Sequence, residues 1–209
     1  MSSGAAQAPS DGGASRPRLV AVRHGATEWS RSGRHTSRTD LPLLDEGRRE
    51  AQELGRRLAG HPFSLVLTSP MLRARETCAI AGFGPRAQVF PDLGEWDYGD
   101  YEGKTTQDIS AERPGWSLWR DGVPGGETAE EVAARANRVL ATVRACRGDV
   151  LVFAHAHVLR VVVARWVGLP ATGGALFTLS PATISVLGWE RDVAVVTRWN
   201  DAAGDALQS

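Results

Sequence analysis

Apolar runs and amphipathic stretches alternate along this chain. Residues 19–22, Leu-Val-Ala-Val, are a continuous apolar run, the pattern of a strand covered on both faces. From 46 to 58 the less polar positions Gly47, Ala51, Leu54, Gly55 and Leu58 share one helical face. Residues 65–68 predict a second strand, stopped by Ser69-Pro70. A helix follows at 72–81, ended by Gly82 and Gly84-Pro85. The segment 128–147 is the clearest helix. Thr128 with Glu131 makes a capping-box pattern, Val132, Ala136, Val139, Leu140 and Val143 form a stripe, and Gly148 stops it. A third buried strand is predicted at 150–154, then a helix at 158–167 closed by Gly168 and Pro170. Residues 183–189 and 193–199 read as an antiparallel pair around Glu190-Arg191-Asp192.

This alternation predicts an α/β sandwich with a mainly parallel sheet. Three strands end in chemically capable residues: Arg23-His24, then Thr68-Ser69 just before Arg73, then His155. If these strands are parallel neighbours, the groups converge at the sheet edge where α/β proteins bind ligands.

Composition narrows the class. At 209 residues one domain is expected, placed at 19–200. Charges balance, 24 basic against 24 acidic, so nothing favours nucleic acid or an anionic membrane as partner. Residues 1–18 are rich in Ser, Gly, Ala and Pro and are read as a disordered arm without a secretory h-region. Residues 201–209 are read as a flexible polar tail. The apolar stretch 158–169 is interrupted by Arg160 and Arg165 and is too short to span a bilayer. Cys78 and Cys146 are read as small hydrophobes rather than a disulfide. A soluble, cytoplasmic protein is expected, with a homodimer left open.

Arg-His-Gly alone is weak evidence, but its company is specific. Arg23-His24-Gly25-Ala26-Thr27-Glu28-Trp29 is followed by Gly33-Arg34, Thr39-Asp40-Leu41-Pro42-Leu43 and Glu46-Gly47. Then come Ser69-Pro70-Met71-Leu72-Arg73-Ala74, the block Leu93-Gly94-Glu95-Trp96 to Gly103, Gly126-Glu127-Thr128, and Phe153-Ala154-His155. In this order and spacing the chain resembles the histidine phosphatase superfamily, also called phosphoglycerate mutase-like, over roughly residues 18–200. The resemblance implies a three-layer α/β/α sandwich with a mixed sheet. It implies that His24 attacks phosphorus, that Arg23, Arg73 and His155 hold the phosphoryl oxygens, and that Glu95 protonates the leaving oxygen. Ser30, Thr36 and Ala156 join the implied phosphate-binding set. Each departs from the usual pattern: Ser30 stands where many relatives have Asn, Thr36-Ser37 where Gln-Gly or Thr-Gly is usual, and Ala156 where Gly follows the second histidine. Ala156 is tolerated if its φ is negative.

The chemistry is coherent with those roles. A phosphate monoester carries about two negative charges, and its transfer asks mainly for positioning and for charge on the equatorial oxygens. Guanidiniums supply both. A neutral imidazole, with an ordinary pKa of about 6.5, is a competent nucleophile. An alkoxide leaves poorly, so a carboxylic acid beside it is useful. Trp96 and a bound dianion both favour the protonated acid, which predicts an acidic-to-neutral optimum without a metal or other cofactor. Asp97, Asp100 and Glu102 are alternatives to Glu95 as the carboxylate at the site, or solvated loop charges; Glu102, before Gly103, reads as structural. The pair His155 and His157 could be metal ligands, but the better reading has one ring facing phosphate and His157 starting the next helix as a cap or substrate-side group. His35 reads as a loop residue, His61 as a surface residue, and Arg57 and Arg75 as ordinary helix charges.

The resemblance also implies a branch: phosphoglycerate mutases of that superfamily carry insertions between the acid and the second histidine and an extended C-terminal tail, whereas here the segment from Glu95 to His155 is compact and only a short polar tail follows Trp199, so a phosphatase is favoured over a mutase-type phosphotransferase. A non-catalytic phospho-ligand binder is disfavoured because both His24 and Glu95 are present. Within the phosphatases the blocks are similar to actinobacterial acid phosphatases and fungal sedoheptulose-1,7-bisphosphatases. The expected partner is a phosphosugar or other small phosphorylated metabolite, with Ser37, Arg38, Tyr98 and Arg120 as candidates for the substrate rim.

Overall fold

The computed structural model describes residues 16–202. Among them β1 (Leu19–Arg23), β2 (Leu65–Thr68), β3 (Ala87–Val89), β4 (Val150–Ala154), β5 (Ile184–Glu190) and β6 (Val193–Asp201) form a six-stranded sheet in the order β3-β2-β4-β1-β5-β6. The β1–β4, β4–β2 and β2–β3 pairs are parallel; β5 runs antiparallel to both β1 and β6. The helices are α1 (Glu28–Ser32), α2 (Asp45–Leu58), α3 (Leu72–Ile80), α4 (Thr106–Glu112), α5 (Leu118–Asp121), α6 (Ala129–Ala145) and α7 (Ala156–Trp166).

The apolar runs at β1 and β4 are explained by two cores, one on each face of the sheet. Side chains alternate along β1. Leu19 and Ala21 pack with Val150, Val152 and the stripes of α6 and α7. Val20 and Val22 pack with Leu151, Phe153, Leu54 and Leu58 of α2 and Cys78 of α3. The result is the expected three-layer α/β/α sandwich. Fully burying a Val or Leu contributes about 1.5–3 kcal/mol, so these two cores carry most of the stabilisation. Cys78 and Cys146 are free thiols, and burial pushes the Cys78 thiol up to about 12.

Local signals and long-range contacts divide the element boundaries between them. Thr128 and Glu131 do form the capping box of α6. α7 starts two residues before the predicted 158, because Glu95, 62 and 63 residues away, takes the N–H groups of His157 and Val158. β3, α1, α4 and α5 were not predicted; each is five residues or fewer except α4, which has seven, too short for a periodic pattern.

Three expectations need correction. Residues 16–18 of the predicted arm are held: Trp189 Nε1 donates to Pro17 O at 3.0 Å, and Arg16 pairs with Asp192. Residues 1–15, and 203–209 of the predicted tail, lie outside the described residues. Arg57 is not a solvated helix charge; it is 5% exposed and pairs with Asp201 at 2.8 Å. His61 is buried, with Nε2 2.7 Å from Asp149 Oδ2, where Arg18 also donates from Nε and Nη2 at 2.9 and 2.6 Å.

That last cluster ties the starts of β1 and β4 to the loop before β2. Burial pushes the Asp149 carboxyl up, but the hydrogen bonds from Arg18 and His61 outweigh it and hold it below the usual carboxylate range. A lowered folded-state value means stabilisation that is present above the unfolded carboxylate range and lost as pH falls through it. Asp149→Asn is therefore expected to cost about 1–3 kcal/mol at neutral pH in urea unfolding. The gap to the native protein should narrow below about pH 4; a gap independent of pH would show that the charge contributes nothing.

Candidate active site

The parallel register brings the three strand ends together. Arg23 is paired with Ala154, and Thr68 with Phe153. His24 N then donates to Ala154 O at 3.0 Å, and Ser69 N to Phe153 O at 2.9 Å, carrying the ladder one step past the sheet. The chain turns at Gly25 against the first turn of α2. A Cβ on Gly25 would lie 2.5 Å from Gly47 O, and one on Gly47 would lie 2.3 Å from Ala26 O, so two glycines are required where backbones meet. Gly25 N and Ala26 N are satisfied by Thr77 Oγ1 and Glu50 Oε2 at 3.1 and 2.8 Å, which fixes the turn holding His24.

An open cleft of about 690 Å³ lies over this edge, lined by Arg23, His24, Arg34, Glu95, Tyr98 and Arg160 among others. His24 is 5% exposed. Its Nδ1 is 2.8 Å from Gly25 O, and a carbonyl can only accept, so Nδ1 carries the proton and Nε2 keeps its lone pair. Burial, then the charges of Arg23 and Arg73, hold His24 well below the ordinary imidazole range. The ring is thus neutral and presents a nucleophilic nitrogen. Arg23 beside it donates from Nη1 to Leu179 O, while its buried Nε has no partner among the described residues.

Arg73 and His155 sit behind His24. The two imidazoles meet edge to face, with centroids 5.1 Å apart. Arg73 Nε donates to His155 Nδ1 at 3.1 Å, so the His155 proton is on Nε2, 2.7 Å from Ser69 Oγ. Arg73 also donates to the carbonyls of Thr36 and Thr39 at 3.0 and 3.2 Å. Neither residue is among those lining the cleft. Arg73 anchors the 36–39 loop and places a buried positive charge beneath the nucleophile.

Glu95 stands in the cleft wall at the N-terminus of α7. Its Oε1 accepts from Trp96 N and Val158 N at 2.9 and 2.8 Å, and Oε2 from His157 N at 3.1 Å. The helix start therefore fixes this carboxylate through two otherwise orphaned N–H groups. Glu102 is structural, as expected: it accepts from Ser37 N, Ser37 Oγ and Thr39 N. Burial raises its carboxyl, and these bonds outweigh it and lower it.

The other predicted residues divide. Thr36, Ser30, Ala156 and Tyr98 line the cleft. Ser30 Oγ, however, donates to Thr27 O at 3.0 Å within the capping box of α1, and Thr36 Oγ1 donates to Arg34 O at 3.1 Å. Ala156 is helical with negative φ, so the missing glycine costs no strain. Ser37 lies behind the rim rather than on it, 5% exposed and engaged by Glu102. Arg38 is exposed and paired with Asp97, and Arg120 folds back onto Asp121 and Gly115 O; neither lines the cleft. Their place is taken by Arg34 and Arg160. Arg160 lies three residues beyond His157 on α7, so the helical period could have found it. Its guanidinium stacks over Trp119 at 4.6 Å and its Nε donates to Gly174 O at 3.1 Å. His35 and His157, both lining the cleft, were also missed as site residues or left ambiguous.

Burial is the leading cause that holds His24, His155 and His157 well below the ordinary imidazole range. In the unfolded chain each protonates near pH 6.5, so below that pH the unfolded state binds more protons. Stability is expected to fall as pH drops through about 6.5, by up to about 1.4 kcal/mol per pH unit for each ring. Urea midpoints measured between about pH 7.5 and 5.5 test this; no change would mean that the rings protonate in place. Among the described residues no group of three or more His, Cys, Asp or Glu side chains is placed to hold a metal, and no helix is long and apolar enough to cross a membrane.

Known proteins share this sequence and architecture. The acid phosphatase of Mycobacterium tuberculosis is 39% identical over 180 residues, covering 84% of this chain and 88% of that protein. The sedoheptulose 1,7-bisphosphatase of Saccharomyces cerevisiae is 37% identical over 187 residues, covering 73% of this chain and 68% of that one. A solved structure of an open reading frame product from Mycobacterium tuberculosis superposes with a TM-score of 0.82 at 37% identity, covering 88% of this chain and 97% of that chain. The description of the histidine phosphatase superfamily (branch 1) matches residues 19–202, from the first residue of β1 past the end of β6. A match that spans the whole sheet, and with it every strand end at the cleft, makes this chain a member of the histidine phosphatase superfamily.

Proposed function

We propose that this chain is a phosphomonoester hydrolase that works through a phosphohistidine on His24, with a phosphosugar or similar small cytoplasmic metabolite as substrate. The observation that carries this reading is the fixed tautomer of His24: Nδ1–H committed to Gly25 O, Nε2 free beneath a cleft lined by arginines. The names of the acid phosphatase and sugar bisphosphatase relatives support the same reading.

In the first step the Nε2 lone pair forms a bond to phosphorus. The ester P–O bond breaks, and its electron pair stays with the leaving oxygen, which takes a proton from Glu95. Oε1 of Glu95 already accepts two N–H bonds and Oε2 one, which leaves Oε2 the oxygen with room for that proton. The Nδ1–H bond to Gly25 O disperses the positive charge that the phosphorylated ring gains. In the second step the Glu95 carboxylate takes a proton from water as the water oxygen bonds phosphorus, and the P–N electron pair returns to Nε2. Arg23 meets the phosphoryl oxygens through its unpartnered Nε, while Arg73 and His155 position His24 and the loop around it. Preorganised donors of this kind each contribute roughly 10²–10³ in rate.

The test is phosphate release from p-nitrophenyl phosphate, sugar phosphates and phosphoglycerates, with and without a chelator. Release that survives the chelator and exceeds phosphoglycerate interconversion is expected. Faster interconversion would make the protein a mutase, and loss with chelator would bring a metal into the reaction.

A further inference from the structure

His35 and His157 both line the cleft, and neither is used in the chemistry above. Their rings are parallel within 6°, with centroids 6.1 Å apart. Each is held through Nδ1 by a different partner. His35 Nδ1 is 2.8 Å from Lys104 O. A carbonyl only accepts, so Nδ1 carries the hydrogen, and Nε2 of the neutral ring is an acceptor. His157 Nδ1 is 2.5 Å from the Tyr98 hydroxyl, for which no other acceptor is found among the described residues. With the phenol as donor, Nδ1 accepts and the ring hydrogen lies on Nε2. Burial keeps both partners neutral: it raises the Tyr98 phenol and lowers the His157 imidazole. Neither Nε2 has a protein partner among the described residues.

The cleft thus holds two parallel imidazoles of opposite polarity, an acceptor at His35 and a donor at His157. A hydroxyl both donates and accepts, and neighbouring hydroxyls of a polyol satisfy both rings at once. A phosphate or carboxylate oxygen would meet a repulsive lone pair at His35. We propose that His35 and His157 read the hydroxyl groups of a polyhydroxylated phosphate ester, with Tyr98 a positioning residue that sets the His157 tautomer. This rests on the phosphatase reading above and deepens it by assigning the groups that recognise the sugar. His157 is also tied to catalysis by geometry, since its backbone N–H holds Glu95 Oε2. The hydroxyls it reads therefore lie beside the proton donor.

The experiment has a structural and a kinetic arm. In ¹⁵N-resolved NMR of the ligand-free native protein, His35 is expected as the Nδ1–H tautomer and His157 as the Nε2–H tautomer; the same tautomer at both overturns the proposal. In kinetics, glucose 6-phosphate is compared with its monodeoxy analogues and with p-nitrophenyl phosphate. At least one deoxy analogue is expected to lose about tenfold in kcat/KM, because a cleft group is left unpaired. That loss should shrink in His157→Phe or His35→Phe, and His157→Phe should lower glucose 6-phosphate turnover about tenfold more than p-nitrophenyl phosphate turnover. Tyr98→Phe should raise KM for the sugar phosphate more than it lowers kcat. Deoxy analogues all within twofold of the parent, or p-nitrophenyl phosphate hydrolysed and every sugar phosphate refused, overturn the hydroxyl reading alone. Hydrolysis of neither class by the native protein overturns the phosphatase reading instead.

Discussion

Replacing His24 by alanine is expected to lower kcat/KM for p-nitrophenyl phosphate by a factor on the order of 10⁴ or more. The variant keeps Arg23 and the other arginines that line the cleft, so phosphate is still bound, and with Glu95 in place some rate over water remains. What disappears is the covalent route, which splits one difficult displacement into two easier ones. The fold should tolerate the change. Among the described residues the His24 ring makes one hydrogen bond, to its neighbour Gly25, and the backbone N–H that continues the β1–β4 ladder is retained in alanine. A variant within tenfold of the native rate would remove His24 from the nucleophile's role.

Replacing Glu95 by glutamine should separate substrates by their leaving groups. Glutamine keeps the length of the side chain and an oxygen that can accept from Trp96 N and Val158 N, the two contacts of Oε1. It cannot donate a proton and recover it. Esters of sugar hydroxyls leave as poor alkoxides and are expected to slow by about 10²–10⁴. p-Nitrophenolate needs little protonation, and its release should slow by less than about tenfold. The ratio between the two classes is the informative quantity, because general damage to the site would lower both together. Equal losses would take Glu95 out of the acid role and leave it as a clamp on the start of α7.

The pH dependence of rate and of stability should diverge. His24 stays neutral well below the ordinary imidazole range, so its nucleophilicity survives mild acid. The same burial makes acid costly for the fold, since the unfolded chain takes up the protons that the native rings refuse. Activity on the acid side is therefore expected to be limited by unfolding and to recover in part when phosphate, a ligand of the folded state, is added.

Much of the architecture was legible because the signals were local. The apolar runs of β1 and β4, the stripe of α6 and the Thr128–Glu131 capping box are each contained in a few residues. Convergence of His24, Ser69 and His155 followed from the rule for parallel strand ends, and the register places them so. The errors fall where contacts run across the chain. Nothing near Arg57 or His61 in sequence shows their acidic partners, Asp201 and Asp149, which lie 144 and 88 residues away and make their burial possible. Arg120 has the sequence context of a rim residue, but the nearest acid, Asp121, takes its guanidinium. Arg160 was passed over inside an apolar helix pattern, although its spacing from His157 puts both on the cleft side of α7. His35 gave no pattern at all; Tyr98, Trp116 and His157, brought from distant segments, give its ring a context.

The covalent step on His24 is tested by trapping the phosphorylated enzyme. The native protein is mixed with a labelled phosphate ester, quenched in base within a turnover, digested, and the label located. Up to one acid-labile, base-stable phosphate per chain is expected on Nε2 of His24, absent from His24→Ala and lengthened in life by Glu95→Gln. Label on another residue, or an acid-stable phosphoester, would contradict it.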